Sequence, residues 1–369
     1  MKIRFIYILL FPGLLIAQAG QPTSKKSVQK SVIQPQRLES TAKSQEPAMM
    51  QAESDEANSL EKTVKQPEYW LNEYTSQRND FTASEGHLTQ AEEMQLSALV
   101  NEAEQTIAAS FELNYMKLRQ NRNKSVAGEF LREAVKKGGL THPLLLPEMA
   151  WIAERNNDMM ARNRALEAYQ AAGQISQGQT IIAKMSATIA GTDALIITNG
   201  EFDTYPLWLS APNARVISLA MLEDKVWLRR SLNAWDPSLK VNSINDANDL
   251  MRLLSNKTSK PVYVSLSLRP DLLNAFSQSL FPIGPLALLQ KNESDLTAQL
   301  KAFYLGNSFE KDLLNIPSTD SYARVAANLL PGLVTLYRSG DRISPEERKK
   351  VKALIALVSS KSGKKITYE

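Results

Sequence analysis

The chain of 369 residues contains no cysteine and only two histidines. The first absence excludes disulfides, thiolate metal sites, a cysteine nucleophile and the lipidated cysteine of a bacterial lipoprotein anchor. His87 falls in a loop or helix start and His142 in the Leu140-Thr141-His142-Pro143 connection, so both read as surface or capping residues and no metal is expected. Neither joins a serine and an acid at a recognisable catalytic spacing. Phosphate-loop and dinucleotide glycine patterns are missing as well, because Gly138-Gly139 precedes a turn and not a helix that follows a strand. No cofactor is expected. Charge of one sign is scarce: the formal net charge is +4, with the basic excess gathered at Arg348, Lys349, Lys350, Lys352, Lys361, Lys364 and Lys365. Without interleaved aromatics to stack bases, this run reads as a solvated helix face and nucleic acid is not an expected partner.

Long hydrophobic runs are also absent. The longest, Phe5 to Ile16, spans about 12 residues and is interrupted by Pro12-Gly13, short of the ~20 that a membrane-spanning helix requires. It follows Lys2 and Arg4 and precedes Ala17-Gln18-Ala19, which is the order of parts in a secretory signal. Cleavage is expected after Ala19, giving an exported protein placed in the periplasm or secreted. From Gly20 to Gln66 there is no aromatic residue, and Gln, Ser, Lys, Glu and Pro dominate. Such a segment cannot bury enough apolar surface to offset chain entropy, so residues 20–66 are expected to be a disordered tether.

Order is expected to begin at Pro67-Glu68-Tyr69-Trp70. From there to Ile189 apolar residues recur at helical spacing, as in Met94, Leu96, Leu99, Val100, Ala103, Ile107 and Phe111, which predicts a helical domain over 67–190. Within it Ala127-Leu131-Ala134 and Ala165-Tyr169-Ala172 share one spacing. Each triplet follows a polar turn, and each turn follows a helix bearing Tyr115 or Trp151. That layout resembles tetratricopeptide helix pairs, although the triplets stand 38 apart and not 34.

Past Gly191 the pattern changes to short β-rich runs, Ala194–Ile197, Ala214–Leu219 and Pro261–Leu266, with helical stretches at Asp224–Leu232 and Ala247–Leu254 between them. Alternation of this kind predicts parallel crossover units, hence a small α/β domain over 191–290. Leu280–Leu289, broken by Pro282, Gly284 and Pro285, suits an edge strand. Residues 291–369 return to helical spacing. Ser321–Arg338 forms one amphipathic stretch, and Ser344-Pro345-Glu346-Glu347 carries an N-cap, a first-turn proline and a capping box. The expected class is therefore mixed α and α/β, a parallel-type α/β domain flanked by tetratricopeptide-like helical arms.

The segment Thr198-Asn199-Gly200-Glu201-Phe202-Asp203-Thr204-Tyr205-Pro206-Leu207-Trp208 holds the candidate site, because it lies at the carboxyl end of the first strand, where open α/β sheets bind ligands. Asn199 and Asp203 are suited to hydrogen-bond a hydroxyl, the Asn199-Gly200 turn to expose backbone N–H groups, and Tyr205 or Trp208 to stack on a ring. An architectural reading accounts for the same residues: a tight turn, Asp203 or Thr204 capping a helix that begins near Pro206, and Leu207 and Trp208 in the core. Glu201 and Asp203 also read as two carboxylates of a metal or acid/base pair, two apart in a turn with no histidine near in sequence. With its flanks, Asp193 to Trp227, the segment resembles the non-membrane portion of large multi-pass bacterial proteins related to protein O-mannosyltransferases, which carries Asn-Gly-Asp-Asn-Asp-Thr-Phe-Pro-Leu-Trp. Asn199, Gly200, Asp203, Thr204, Pro206, Leu207 and Trp208 match, while Glu201, Phe202 and Tyr205 depart. In those proteins the resemblance places transfer chemistry in the membrane domain, so it implies no catalysis here. The expected function is a non-catalytic binding or scaffold protein of the bacterial envelope. Its expected partner is an envelope protein or a glycan, in association with a membrane transferase system. The alternative is a glycan-processing enzyme using Asp203 and Glu201.

Overall fold

The structure is a computed structural model that describes residues 66–85, 88–107, 109–241, 244–290, 295–317 and 321–364. The expected signal, all but the last residue of the expected tether, and His87 lie outside the described residues. Among the described residues seven helices precede the first strand: α1 Pro67–Glu85, α2 Gln90–Thr106, α3 Phe111–Asn121, α4 Ala127–Gly138, α5 Leu145–Arg155, α6 Met159–Ala171 and α7 Gln177–Ala190. Among these, α3 packs on α4 and α5 on α6 as two successive hairpins. Ala127, Ala134 and Ala165 are buried, so the small side chains sit where helices approach closely. Ala172 instead caps α6 and is exposed, so the second triplet does not complete the pattern. The turn between α5 and α6 closes because Asn157 takes a left-handed conformation at φ 61, which asparagine tolerates better than most residues.

Gly191, at φ 68, ends α7 and releases the chain into β1 Leu195–Thr198. There follow α8 Glu201–Ser210, β2 Arg215–Ser218, α9 Lys225–Trp235, α10 Ala247–Lys257, β3 Val262–Ser265, α11 Pro270–Ala275, β4 Leu280–Ile283 and β5 Leu286–Leu289. The strands form one five-stranded sheet in the order β2-β1-β3-β5-β4. β1 runs parallel to both β2 and β3, with Ile196 opposite Val216 on one side and Tyr263 on the other. Every residue of β1 and β3 is buried, which explains why these strands read as unbroken apolar runs.

The sheet is mixed, not purely parallel. The single edge strand expected over 280–289 is a hairpin, with β5 antiparallel to β3 and to β4. Gly284 makes the turn at φ 61, and Pro282 lies on the outermost strand, where a missing N–H costs no ladder bond.

Beyond the sheet lie α12 Thr297–Tyr304, α13 Phe309–Leu314, a 3-10 segment Ser321–Leu329, α14 Leu330–Tyr337 and α15 Pro345–Ser362. The stretch expected as one helix over 321–338 is thus two. Pro331 sits in the first turn of α14, where its ring opposes continuation of an α-helix from the N-terminal side. The capping box of α15 is as expected, with Glu347 N–H donating to Ser344 Oγ at 3.1 Å and Ser344 N–H to Glu347 Oε2 at 2.7 Å. Tyr304 ties this region to the hairpin: its hydroxyl accepts from Gly284 N–H at 3.0 Å and donates to the Leu329 carbonyl at 2.8 Å.

One hydrophobic core runs from Ala150 through all five strands to Val358, crossing residues 190 and 290 without a break. Two smaller clusters, one around Trp70, Val100 and Met116 and the other around Leu118, Ala134 and Leu145, serve the first helices. A fragment of residues 191–290 lacks the helices that cover its sheet on both sides of the sequence, so it is expected to be poorly folded. Circular dichroism melting of that fragment tests this, and a sharp cooperative transition of its own would contradict it.

Candidate functional site

Strand order reverses at β1, since β2 lies on one side of it and β3 on the other. The gap between the carboxyl ends of β1 and β3 is the switch point at which open α/β sheets hold ligands. Asp203 spans this gap. Its Oδ2 accepts from Asn199 N–H at 3.1 Å and from the Ser267 hydroxyl at 2.6 Å, and its Oδ1 accepts from Gly200 N–H at 3.2 Å. Ser267 is itself held to Ser265 at the end of β3 by a 2.7 Å hydroxyl contact. Burial pushes the Asp203 carboxyl above its ordinary range, against the lowering effect of Ser267 and the two backbone N–H groups. The Asn199-Gly200 turn therefore does not offer free N–H groups to a ligand, because this carboxylate takes both. Gly200 is extended at φ −166, and an added Cβ would meet nothing closer than Ala220 Cβ at 3.9 Å, so neither backbone nor space demands glycine there.

The helix that follows starts at Glu201, five residues earlier than its proline suggests, and Pro206 lies inside it. Asp203 consequently stands in the first turn and not at the cap. A proline at this position lacks the N–H that would bond the Phe202 carbonyl four residues back. Gln179 of α7 supplies the missing donor, with Nε2 to Phe202 O at 3.2 Å, while its Oε1 accepts from Ser176 N–H at 2.8 Å and completes the capping box of α7. Gln179→Leu removes both bonds and is expected to cost about 2 kcal/mol, from an unpaired carbonyl and a lost cap. Denaturant unfolding measures it, and a change below a few tenths would show that neither bond matters.

Glu201 points elsewhere. It pairs with Arg119 at 2.9 Å and with Arg122, and Arg119 also pairs with the fully buried Glu148. Arg122 lies 3.9 Å above the Trp151 ring. The Glu201 carboxyl is subject to burial, which would raise it, yet Arg119 and Arg122, with Arg78 beyond them, hold it well below the usual carboxylate range. The departure from the resembled signature thus has a partner: two arginines of α3 and its C-terminal cap, on the helical part of the chain. Arg155 adds a second tie, donating to Asp224 at 2.6 Å and to the Arg122 carbonyl at 2.7 Å. Sequence reasoning missed these arginines because they lie about 80 residues from Glu201 and occupy ordinary exposed-looking helix positions.

The remaining segment residues are interior. Thr204 is fully buried with its hydroxyl 2.7 Å from that of Thr198. Tyr205, 2% exposed, donates to the Pro147 carbonyl at 3.1 Å. Trp208, 1% exposed, meets Trp151 edge-on at 6.4 Å between ring centres, with Arg162 5.3 Å from its ring centre. Neither ring can stack on a ligand without leaving the core. Asn199 is half-buried and gives its backbone to Asp203 and, through its carbonyl, to Ala220 N–H at 3.2 Å. Beside Asp203 a cavity of about 20 Å³ remains, closed by Ile182 of α7, Leu286 and Asn328. That is room for a water molecule and far short of a sugar ring.

His142 accepts from Leu144 N–H through Nδ1 at 3.3 Å and packs on Phe111. Among the described residues no three histidine or carboxylate side chains form a metal-holding group, and no helix is long and apolar enough to cross a membrane. Comparison with protein-family models, curated proteins and solved structures finds no match.

Proposed function

We propose that this chain is an exported, non-catalytic binding or scaffold protein of the bacterial envelope, which engages a protein partner through its outer surfaces. The observation that carries this reading is the fate of the two carboxylates. Glu201 is consumed by Arg119 and Arg122, and Asp203 by two backbone N–H groups and Ser267, so the segment that most suits chemistry serves to join β1, β3 and the helical layer. Glycosidic acid/base work requires two carboxyl groups facing one opening wide enough for the sugar. Here they face different partners, and the cavity beside Asp203 holds about 20 Å³. A glycan is for the same reason a poorer fit than a protein at this strand end. Export is inferred from the charged, apolar and small-residue order of the first 19 residues, and association with a membrane transferase system from the resemblance over Asp193 to Trp227.

The test uses the mature chain immobilised against envelope extract, followed by binding of each recovered protein in purified form. Saturable, reproducible binding by a purified envelope protein supports the proposal. Turnover of an envelope glycan by the purified chain, abolished in Asp203→Asn, would replace it with the enzymatic reading.

A further inference from the structure

Away from the strand end, the C-terminal arm has an open recess of about 580 Å³ between the end of α14 and the start of α15. Its apolar side is made by Tyr337 and Pro345 above the buried Ile343, and its rim by Arg348, Lys349 and Lys352, with Asp341 the one acid among its lining. Residues 337–364 hold eight lysines and arginines against three acids, a net +5 in a chain whose total is +4. The rest of the molecule is therefore slightly acidic, and this end is its electropositive pole. Arg348 is fixed in place, with Nη1 donating to the Tyr337 carbonyl at 3.0 Å and its guanidinium 5.6 Å from the Tyr337 ring centre. The Lys349 side chain is exposed and makes no ion pair or hydrogen bond among the described residues. Neighbouring charges are by contrast already matched: Glu347 pairs with Lys301 at 2.8 Å and Arg342 with Asp295 at 3.1 Å.

We propose that this recess docks an acidic peptide segment of a partner protein, with one apolar side chain against Tyr337 and Pro345 and carboxylates beside Lys349 and Lys352. The shape selects this occupant. A concave site with an apolar wall favours a side chain over the flat face of a bilayer, and a single aromatic offers no platform for successive bases. Fixing Arg348 beforehand lowers the ordering cost of binding. This deepens the binding reading above by naming a surface and a partner chemistry.

The experiment is fluorescence anisotropy with the full chain and a labelled octapeptide of aspartate and glutamate carrying one central leucine. Binding should saturate at low salt and weaken at least tenfold in about 0.5 M NaCl, where exposed charges are screened beyond a few ångströms. The variant Lys349→Glu should weaken it about tenfold while leaving the melting curve intact, since its side chain is exposed. Replacing the central leucine by serine should also weaken binding. Equal affinity for leucine and serine peptides, or displacement of the peptide by phosphatidylglycerol vesicles, would overturn the peptide assignment. No peptide binding alongside intact capture of an envelope protein would sink this recess and leave the broader reading standing.

Discussion

Trp208→Ala is expected to destabilise the protein by about 3–5 kcal/mol, among the largest effects of any single change outside a glycine or proline. The side chain is 1% exposed and sits in the core shared by α5, α8 and the sheet, with Trp151 and Tyr205 as aromatic neighbours at 6.4 and 5.9 Å. Truncation leaves a cavity that rigid strands on one side and helices on the other cannot collapse to fill. It also removes the ring beneath Arg162. Trp208→Phe retains most of the apolar body and should recover more than half of the loss. Chemical denaturation of both variants is the measurement. A loss under about 1 kcal/mol for the alanine variant would mean that the ring is dispensable to the core and free for another role.

Glu201→Gln should cost about 2–3 kcal/mol, because it leaves the guanidiniums of Arg119 and Arg122 facing a neutral amide in a largely enclosed site. The figure is set below that of a sealed pair because the Glu201 side chain keeps 31% of its exposure. The same substitution changes the acid profile. A carboxyl held below its ordinary pKa contributes stability that is complete above the unfolded value of about 4.3 and is lost as pH falls towards the folded value. Asp203 acts with the opposite sign: its carboxyl is raised, so the folded state keeps a proton that the unfolded state gives up. Stability from that group therefore declines as pH rises from about 3.9 through its folded value. Wild type should then lose stability on acidification below about pH 4.5, and Glu201→Gln should lose less. Stability curves that stay parallel from pH 6 to about pH 3 would show that Glu201 does not carry this effect.

Much of the fold was legible because local signals and tertiary structure agree. β1 and β3 are buried strands in largely apolar runs, and α15 opens on a complete capping box, so pattern and chemistry suffice there. The failures share a cause. Pro206 looks like a helix start, yet the chain continues through it because Gln179, on another helix, satisfies the carbonyl that proline leaves open. Pro331 looks tolerable inside one long amphipathic stretch, yet it divides that stretch into a 3-10 and an α segment. At the candidate site the segment divides: Asp203 stays with Asn199 and Gly200, Glu201 turns to the helical layer, and Tyr205 and Trp208 enter the core. Arg119, Arg122 and Ser267 are remote in sequence and carry no motif, and only the packed chain shows that they neutralise or saturate Glu201 and Asp203.

The Gln179 bridge bears on the order in which the molecule is made. During synthesis α7 leaves the ribosome before β1 and α8, so the donor for the Phe202 carbonyl is already present when the proline-bearing turn emerges. Reversing that order should matter. A circular permutant that begins at Thr192 and delivers α7 last would leave the α8 start incomplete until the final stage of translation, with its apolar face waiting for a cover. Such a chain should reach the same end state by refolding, yet give a lower soluble yield in cells.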